Sequence, residues 1–440
     1  MWAGEGKTGS MADDLLARHR AVMPSWLALY YDEPIELVSG AGRQVTDASG
    51  RTYLDFFGGI LTNMLGYDVP EVRRAADEQL DTGIVHTSTL YLNRPQVELA
   101  ERIAQLSGIP DARVFFTTSG TEANEAALLF ATSVRGSNQV LALRGSYHGR
   151  SYAAMGITGN RGWSPSGLSP VDVSYLHGGD RMRGPFAGMS DEEFNRAGAE
   201  DLREVLATTT SGDVACLIAE PIQGVNGFVT PPDGYLGALE RVLDEEGILL
   251  VSDEVQTGWG RTGEHFWGYQ AHGVTPDLLT FAKGLGNGMT IGGVVGRAEV
   301  MESIGAKSIS TFGGNPLSAR TALATLEYVV DRDLQSHAHK VGTRLLEGLR
   351  KLGYPIIGEV RGKGLMTGVE LVRPGTTTPN PSAASTVLAE TKRLGLLIGK
   401  GGLYGNALRI APPLTVTEEE ADEGLEMLTA ALARANEQEE

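Results

Sequence analysis

The sequence predicts an α/β fold, with a large domain on a mainly parallel mixed sheet flanked by helices. A smaller α+β domain is expected from the two ends of the chain. Two observations lead there. Short apolar runs alternate with helical stretches through the middle of the 440 residues. Each run ends in glycine and polar residues, and in such sheets ligands sit beyond the carboxyl ends of the strands.

Residues 1–64 begin with a helix from Met11, followed by the segments IELVSG, RQVTDASG and RTYLDFF. These read as a strand meander with turns at Ser39–Gly42 and Asp47–Gly50, and belong to the small domain. Residues 65–330 form the large domain. Strands are expected at Val114–Thr117, Val140–Leu143, Val214–Ala219, Ile248–Ser252 and Leu278–Phe281, with a helix at Glu122–Ser133 after the first. Residues 331–440 return to the small domain. They carry a helix at Leu334–Leu352, strands near Ile357–Val360 and Gly368–Leu371, a loop at Arg373–Ala383 and a closing helix from Glu418 to about Arg434.

Lysine and arginine total 37 against 55 acidic residues, a formal charge of −18. That field opposes nucleic acid and anionic membrane surfaces. The single cysteine, Cys216, excludes an intramolecular disulfide and any multi-cysteine metal site; in its apolar run it reads as a small buried hydrophobe. No stretch approaches the ~20 apolar residues that span a bilayer. The start lacks the features of a secretory or transit segment, so a cytoplasmic location is expected. The glycine-rich first ten residues are expected to be disordered or foreign to the native chain.

Three strand ends carry chemistry. Ser119-Gly120-Thr121 lies between a strand and a helix, where backbone N–H groups and two hydroxyls can cradle a phosphate; an ordinary helix cap is the alternative. Asp253-Glu254 ends an apolar strand, which suits a metal pair, a partner for a heterocyclic nitrogen or a cap on the next turn. No Walker lysine and no histidine cluster accompany it. Lys283 leaves the strand Leu278–Phe281 into the glycine-rich loop GLGNG, where partial desolvation lowers a lysine's pKa and makes it nucleophilic. A phosphate cradle, an acid for a ring nitrogen and an amine for an aldehyde are together the needs of pyridoxal 5′-phosphate.

The segments FFTTSGTEAN, LRGSYHGR, AEPIQGVNG, VSDEVQTGWGRTG, FAKGLGNG, STFGGNP, VRGKGLMTGVEL and LRIAPPL, in this order, resemble the class III aminotransferases of the fold type I pyridoxal phosphate enzymes. Several of them look most like the alanine–glyoxylate branch. The resemblance implies that Lys283 holds the cofactor as a Schiff base and moves the α-proton, and that Asp253 keeps the pyridinium nitrogen protonated. It implies phosphate contacts from Ser119, Gly120 and Thr121, and from Thr311 of a neighbouring subunit, so that a homodimer is required; pairing of dimers into a tetramer stays open. Tyr147 is expected on one ring face, Val255 on the other, and Gln256 at the phenolic oxygen, with His148 as scaffolding of the same motif. Glu220 and Arg409 are expected to form a gate: the arginine binds a substrate carboxylate, and the glutamate masks it when the substrate has none. A structural salt bridge is the other reading of that pair. Arg150 is a candidate for a distal carboxylate or a solvated surface residue.

The implied reaction moves an amino group from an amine or amino acid to a keto acid such as pyruvate, glyoxylate or 2-oxoglutarate, in two half-reactions. A pyridoxal phosphate lyase acting on a phosphorylated or hydroxylated amine is the alternative. The chain departs from the family at Gly66-Tyr67-Asp68-Val69-Pro70, where a Gly-His-x-His-Pro segment is common. Both histidines are absent, so an edge of the active site is expected to differ. Side-chain pockets are expected from the loop Phe56–Leu61 and from Thr89–Tyr91 of a facing subunit.

Overall fold

Seven strands form the central sheet of the computed structural model, which describes residues 11–27 and 29–439. From edge to edge they are Ala112–Thr117, Gly292–Arg297, Leu278–Phe281, Leu249–Asp253, Val214–Ala219, Gln139–Leu143 and Asp172–Leu176. Gly292–Arg297 runs antiparallel to both its neighbours, and every other pairing in the sheet is parallel. Val214–Ala219 and Leu278–Phe281 are buried at every position, which is why they read as unbroken apolar runs.

Helices cover both faces, and the two-residue period of the strands divides the core between them. Cys216 and Ile218 point to the side of the helix Gly120–Arg135, where they meet Ala123, Ala127 and Leu128. Leu217 and Ala219 point the other way, into a cluster with Leu202, Leu236, Leu239 and Leu243. Those residues come from the helices Asp191–Thr209 and Tyr235–Glu246. Burial pushes the Cys216 thiol up to about 12, so it serves as the small hydrophobe its context suggests.

The strands Leu37–Ala41, Gln44–Asp47 and Thr52–Asp55 form the expected antiparallel meander, and Leu396–Leu397 joins it beside Thr52–Asp55. The two ends of the chain therefore share one sheet. A third sheet orders Ile357–Lys363, Met366–Leu371, Ala407–Ile410 and Gly399–Gly401, all antiparallel. The closing helix Glu418–Glu437 starts from a reciprocal cap between Thr417 and Glu420.

Several boundaries differ from expectation, three of them with a clear local cause. The loop expected through Ala383 stops at Asn380, whose side chain caps a helix Pro381–Leu394; proline fits its first turn because no N–H is needed there. The helix after Ser119 runs Gly120–Arg135 and ends at Gly136, φ +65°. The strand expected to end at Ser252 includes Asp253. The expectation for the first ten residues lies outside the described residues. Among the described residues no helix is long and apolar enough to cross a membrane.

Candidate active site

The site lies where the parallel strands end. Asp253 is in register with Thr280 on the neighbouring strand, and Lys283 follows three residues later. Lys283 opens a short 3₁₀ turn at φ +46°, a conformation a non-glycine residue holds only when its surroundings enforce it. Asn287 ends that turn at φ +41°, its carboxamide accepting from the Leu65 N–H at 2.8 Å and donating to the Gly66 carbonyl at 3.2 Å. Burial pushes the Lys283 ammonium's pKa down; Asp253 and Glu220 pull it up, and Arg409 pushes it down again.

Asp253 is fixed from two sides. Its Oδ2 accepts from Asn124 Nδ2 at 2.8 Å and from His148 Nδ1 at 2.7 Å, and Oδ1 accepts from the Val255 N–H at 3.1 Å. Asn124 Nδ2 also donates to the His148 carbonyl at 2.8 Å, while its Oδ1 accepts from the Thr280 hydroxyl at 2.7 Å. A carboxylate only accepts, so the amide must turn its NH2 toward Asp253 and its oxygen toward Thr280. All of these side chains are buried.

At the helix start the hydrogen bonds of Ser119 draw the cap reading. Its hydroxyl accepts from the Glu122 N–H at 3.2 Å, and Glu122 in turn accepts from the N–H and hydroxyl of Thr118. That is a helix cap. It leaves the first N–H groups of a 16-residue helix, those of Gly120 and Thr121, pointing outward with the positive end of the dipole. A Cβ on Gly120 would come within 3.0 and 3.1 Å of the Val255 methyls, so glycine brings Val255 against the cradle. Gly149, at φ +134°, brings the Tyr147-His148 loop against Thr121, whose hydroxyl would lie 2.6 Å from a Cβ there.

Glu220 and Arg409 form no ion pair here, so the structural salt bridge is not what this geometry holds. Glu220 spends one oxygen on the Tyr147 N–H at 2.9 Å and the other on the Gly224 N–H at 2.8 Å. Burial raises its pKa to about 7, with His148 opposing, Asp253 adding, and the two N–H bonds opposing. Arg409 is buried and donates through Nη2 to the Lys400 carbonyl at 3.1 Å. Its guanidinium lies over the rings of Phe57 (4.8 Å) and Phe228 (6.0 Å), and its Nε and Nη1 are buried without partners. Phe57 leads into four successive left-handed residues, Gly58 to Leu61; for Ile60 and Leu61 that conformation costs about 1–2 kcal/mol each.

Tyr147 sets its ring edge-on to Trp163 at 5.4 Å, and burial raises its phenol. Gln256 is buried against Gly224 with Oε1 unpartnered. Two predicted residues stand outside this cluster. Arg150 is exposed and lies over the Trp26 ring at 5.6 Å. Thr311 is exposed in a loop that Asn93 and Gln96 tie down through Gly314 and Gly313. Asn124, Thr280 and Phe228 escaped the sequence reading, and Phe57 entered it only as part of the pocket loop Phe56–Leu61. Asn124 alone left a signal there, as a polar residue on the buried face of an alanine-rich helix.

The family profile described as aminotransferase class III matches residues 30–432. A mitochondrial alanine–glyoxylate aminotransferase 2 homologue of Arabidopsis thaliana is 39% identical over 97% of this chain and 89% of its own length. Among solved structures, an (S)-enantioselective omega-transaminase of Thermomicrobium roseum superposes with a TM-score of 0.89 at 34% identity, covering 96% of this chain and 99% of that one. A phospholyase from Arthrobacter, solved with phosphoethanolamine, has a TM-score of 0.87 at 34% identity over the same shares of the two chains. With this match along nearly its whole length, and a lysine, a carboxylate and a helix start converging at the strand ends, the chain belongs to the class III aminotransferases and is a pyridoxal 5′-phosphate-dependent enzyme.

Proposed function

We propose that the enzyme transfers an amino group from an amine or amino acid to a 2-oxo acid, with Lys283 as the covalent and proton-carrying group and Asp253 as the partner of the cofactor's ring nitrogen. One observation carries the assignment: Lys283 stands three residues beyond Thr280, the register partner of Asp253, in a turn that holds it at positive φ. The residues suit the cofactor. Gly120 keeps the cradle free of a side chain, Gln256 has a buried oxygen without a partner, and Asp253 is held as an acceptor by three donors.

Bound pyridoxal phosphate supplies an aldehyde for the amino group and a ring that stores the electron pair left when the α-proton departs. The remaining work falls to side chains of this chain. The N–H groups of Gly120 and Thr121, with the Ser119 and Thr121 hydroxyls, hold the phosphate. Asp253 would hold a proton on the ring nitrogen, and the Asn124 and His148 bonds keep its carboxylate from swinging away. Val255 and Tyr147 would confine the ring between them. Lys283 Nζ would hold the cofactor's aldehyde and, once free, would take the α-proton and return it. Burial lowers its pKa, which favours the neutral form that can accept a proton. Arg409, with two unpartnered N–H groups between aromatic faces, binds the substrate carboxylate. Glu220, held in the free enzyme by the Tyr147 and Gly224 N–H groups, leaves them to mask Arg409 only when a substrate without a carboxylate is bound. Arg150 is assigned to the rim, where a longer substrate would reach it.

A homodimer is part of the proposal. Thr311 is exposed between Ile309 and Phe312, both exposed apolar residues, and Leu90 to Leu92 form another such stretch. These support a face that a second copy covers, with Thr311 reaching the partner's phosphate site; light scattering of the purified enzyme tests it. Residues 1–64 and 331–440 are proposed as one small domain around the large one, supported by the pairing of Leu396–Leu397 with Thr52–Asp55. A cytoplasmic location is proposed too, with cell fractionation as its test.

The reaction is tested by absorbance of the cofactor-loaded enzyme with a panel of amines and no acceptor. The expected result is loss of the yellow band with one keto product per active site. Repeated release of ammonia or phosphate without an acceptor would overturn the transfer reading in favour of a lyase.

A further inference from the structure

The segment in which this chain departs from its family lies behind the substrate side of the site. Tyr67 replaces the first histidine of the usual Gly-His-x-His-Pro, and its phenol donates to Asp55 Oδ2 at 2.5 Å. The other oxygen of Asp55 accepts from two consecutive backbone groups, the Phe57 N–H at 2.9 Å and the Gly58 N–H at 3.0 Å. Asp55 is thus a buried carboxylate with one end on Tyr67 and the other on the first residues of the left-handed turn. Phe57 is the ring over which the Arg409 guanidinium lies, and Tyr30 stacks on it at 6.0 Å with planes 14° apart.

We propose that Tyr67 is a positioning residue for carboxylate substrates, acting through Asp55 to fix Phe57 and so the direction in which Arg409 presents its free N–H groups. The left-handed turn needs an outside hold, since Ile60 and Leu61 lie in it at positive φ. Asp55 supplies that hold, and its own orientation depends on the phenol. The ring of Tyr67 is set independently of its hydroxyl. The backbone of Tyr67 exchanges both hydrogen bonds with Gly42, at 2.7 and 2.9 Å, and Gly66 is held by Asn287. The ring also fills the space beside Gly40, where a Cβ would lie 2.7 Å from it. Removing only the hydroxyl therefore cuts the link and leaves the packing.

This inference rests on Arg409 as the carboxylate ligand, and the experiment separates the two. Cofactor-loaded wild type, Tyr67→Phe and Arg409→Leu are assayed with L-alanine and with 1-phenylethylamine, an amine without a carboxylate. Amide hydrogen exchange over residues 55–62 is followed in wild type and Tyr67→Phe. In Tyr67→Phe the Phe57 and Gly58 amides should exchange faster. The KM for L-alanine should rise roughly three- to tenfold relative to that for the amine, the size of one lost hydrogen bond, with kcat changing less. Tyr67→His should recover part of the ratio if its ring nitrogen reaches Asp55, and a purely structural role would move both substrates together.

Unchanged exchange in Tyr67→Phe overturns the strut. Faster exchange with an unchanged KM ratio, while Arg409→Leu raises that ratio, overturns the role in specificity and leaves Arg409's intact. An unmoved ratio in Arg409→Leu overturns the carboxylate reading of Arg409, and the role of Tyr67 with it.

Discussion

Replacing Asn124 by alanine tests whether the network under Asp253 is built as its bonds indicate. The change removes three hydrogen bonds at once, to Asp253 Oδ2, to the His148 carbonyl and from the Thr280 hydroxyl. Each buried polar group left without a partner costs about 1–3 kcal/mol. The Thr280 hydroxyl can rotate and Asp253 keeps its other two donors, so the expected loss is about 3–5 kcal/mol rather than the full sum. Alanine is the better helix former by roughly 0.5 kcal/mol, so local propensity works against the loss and cannot explain it. Thr280→Val breaks only the Oδ1 bond and should cost about 1–2 kcal/mol. Urea unfolding of the cofactor-free protein, with the slope checked for two-state behaviour, gives both values. A loss below about 1 kcal/mol for Asn124→Ala, or a larger loss for Thr280→Val, would refute the network as drawn.

Lys283→Ala should abolish turnover and keep the circular dichroism of wild type; measurable transamination in that variant would remove the lysine from its role. Gly120→Ala puts a Cβ 3.0 and 3.1 Å from the Val255 methyls, so Val255 must give way; cofactor affinity should fall roughly tenfold by equilibrium dialysis, about 1.4 kcal/mol. Glu220 supplies a pH dependence. Its folded pKa is about 7 against an ordinary 4.5, so the folded state holds that proton through a window in which the unfolded chain releases it. The stability it contributes is fully present below the ordinary value and is lost as pH rises to about 7, on the order of 3 kcal/mol across the window. Glu220→Gln does not titrate, so stability profiles of the cofactor-free protein should diverge from wild type across that window; parallel profiles would refute the raised pKa.

What could be read in the sequence was set by how strongly each segment's chemistry departs from the ordinary. Val214–Ala219 and Leu278–Phe281 are buried on both faces, so composition alone marks them as strands. Lys283 and Asp253 stood out because each ends such a run. Gly292–Arg297 was not read as a strand, since glycine occupies three of its six positions. The sheet requires them: a Cβ on Gly293 would lie 2.6 Å from the Phe115 carbonyl oxygen and from the Phe281 ring. Phe57 and Phe228 look like any core aromatics in sequence, and only the fold brings both to Arg409. The Glu220–Arg409 pair shows the other limit. Two opposite charges predict attraction, but the backbone N–H groups of Tyr147 and Gly224 reach Glu220 first.

The hydrogen bonds divide the site into a part made rigid by the fold and a part left to substrate. On the cofactor side every oxygen of Asp253 is engaged, and Asn124 uses both ends of its amide. In its proposed role as partner of the ring nitrogen, Asp253 gains from such restraint, because it costs no reorganisation when charge develops. On the substrate side, Arg409 keeps its Nε and Nη1 unpartnered in a buried position. Leaving such atoms unpaired is costly unless something else completes them. An enzyme that alternates between two substrates needs that difference: contacts common to both halves of the cycle can be built in permanently, and contacts that change between them cannot. The flanking aromatic rings of Phe57 and Phe228 then become part of selectivity. They shield Arg409 from water and raise the energy of leaving it bare, so in the proposed role of Arg409 a substrate carboxylate gains more there than it would at the surface.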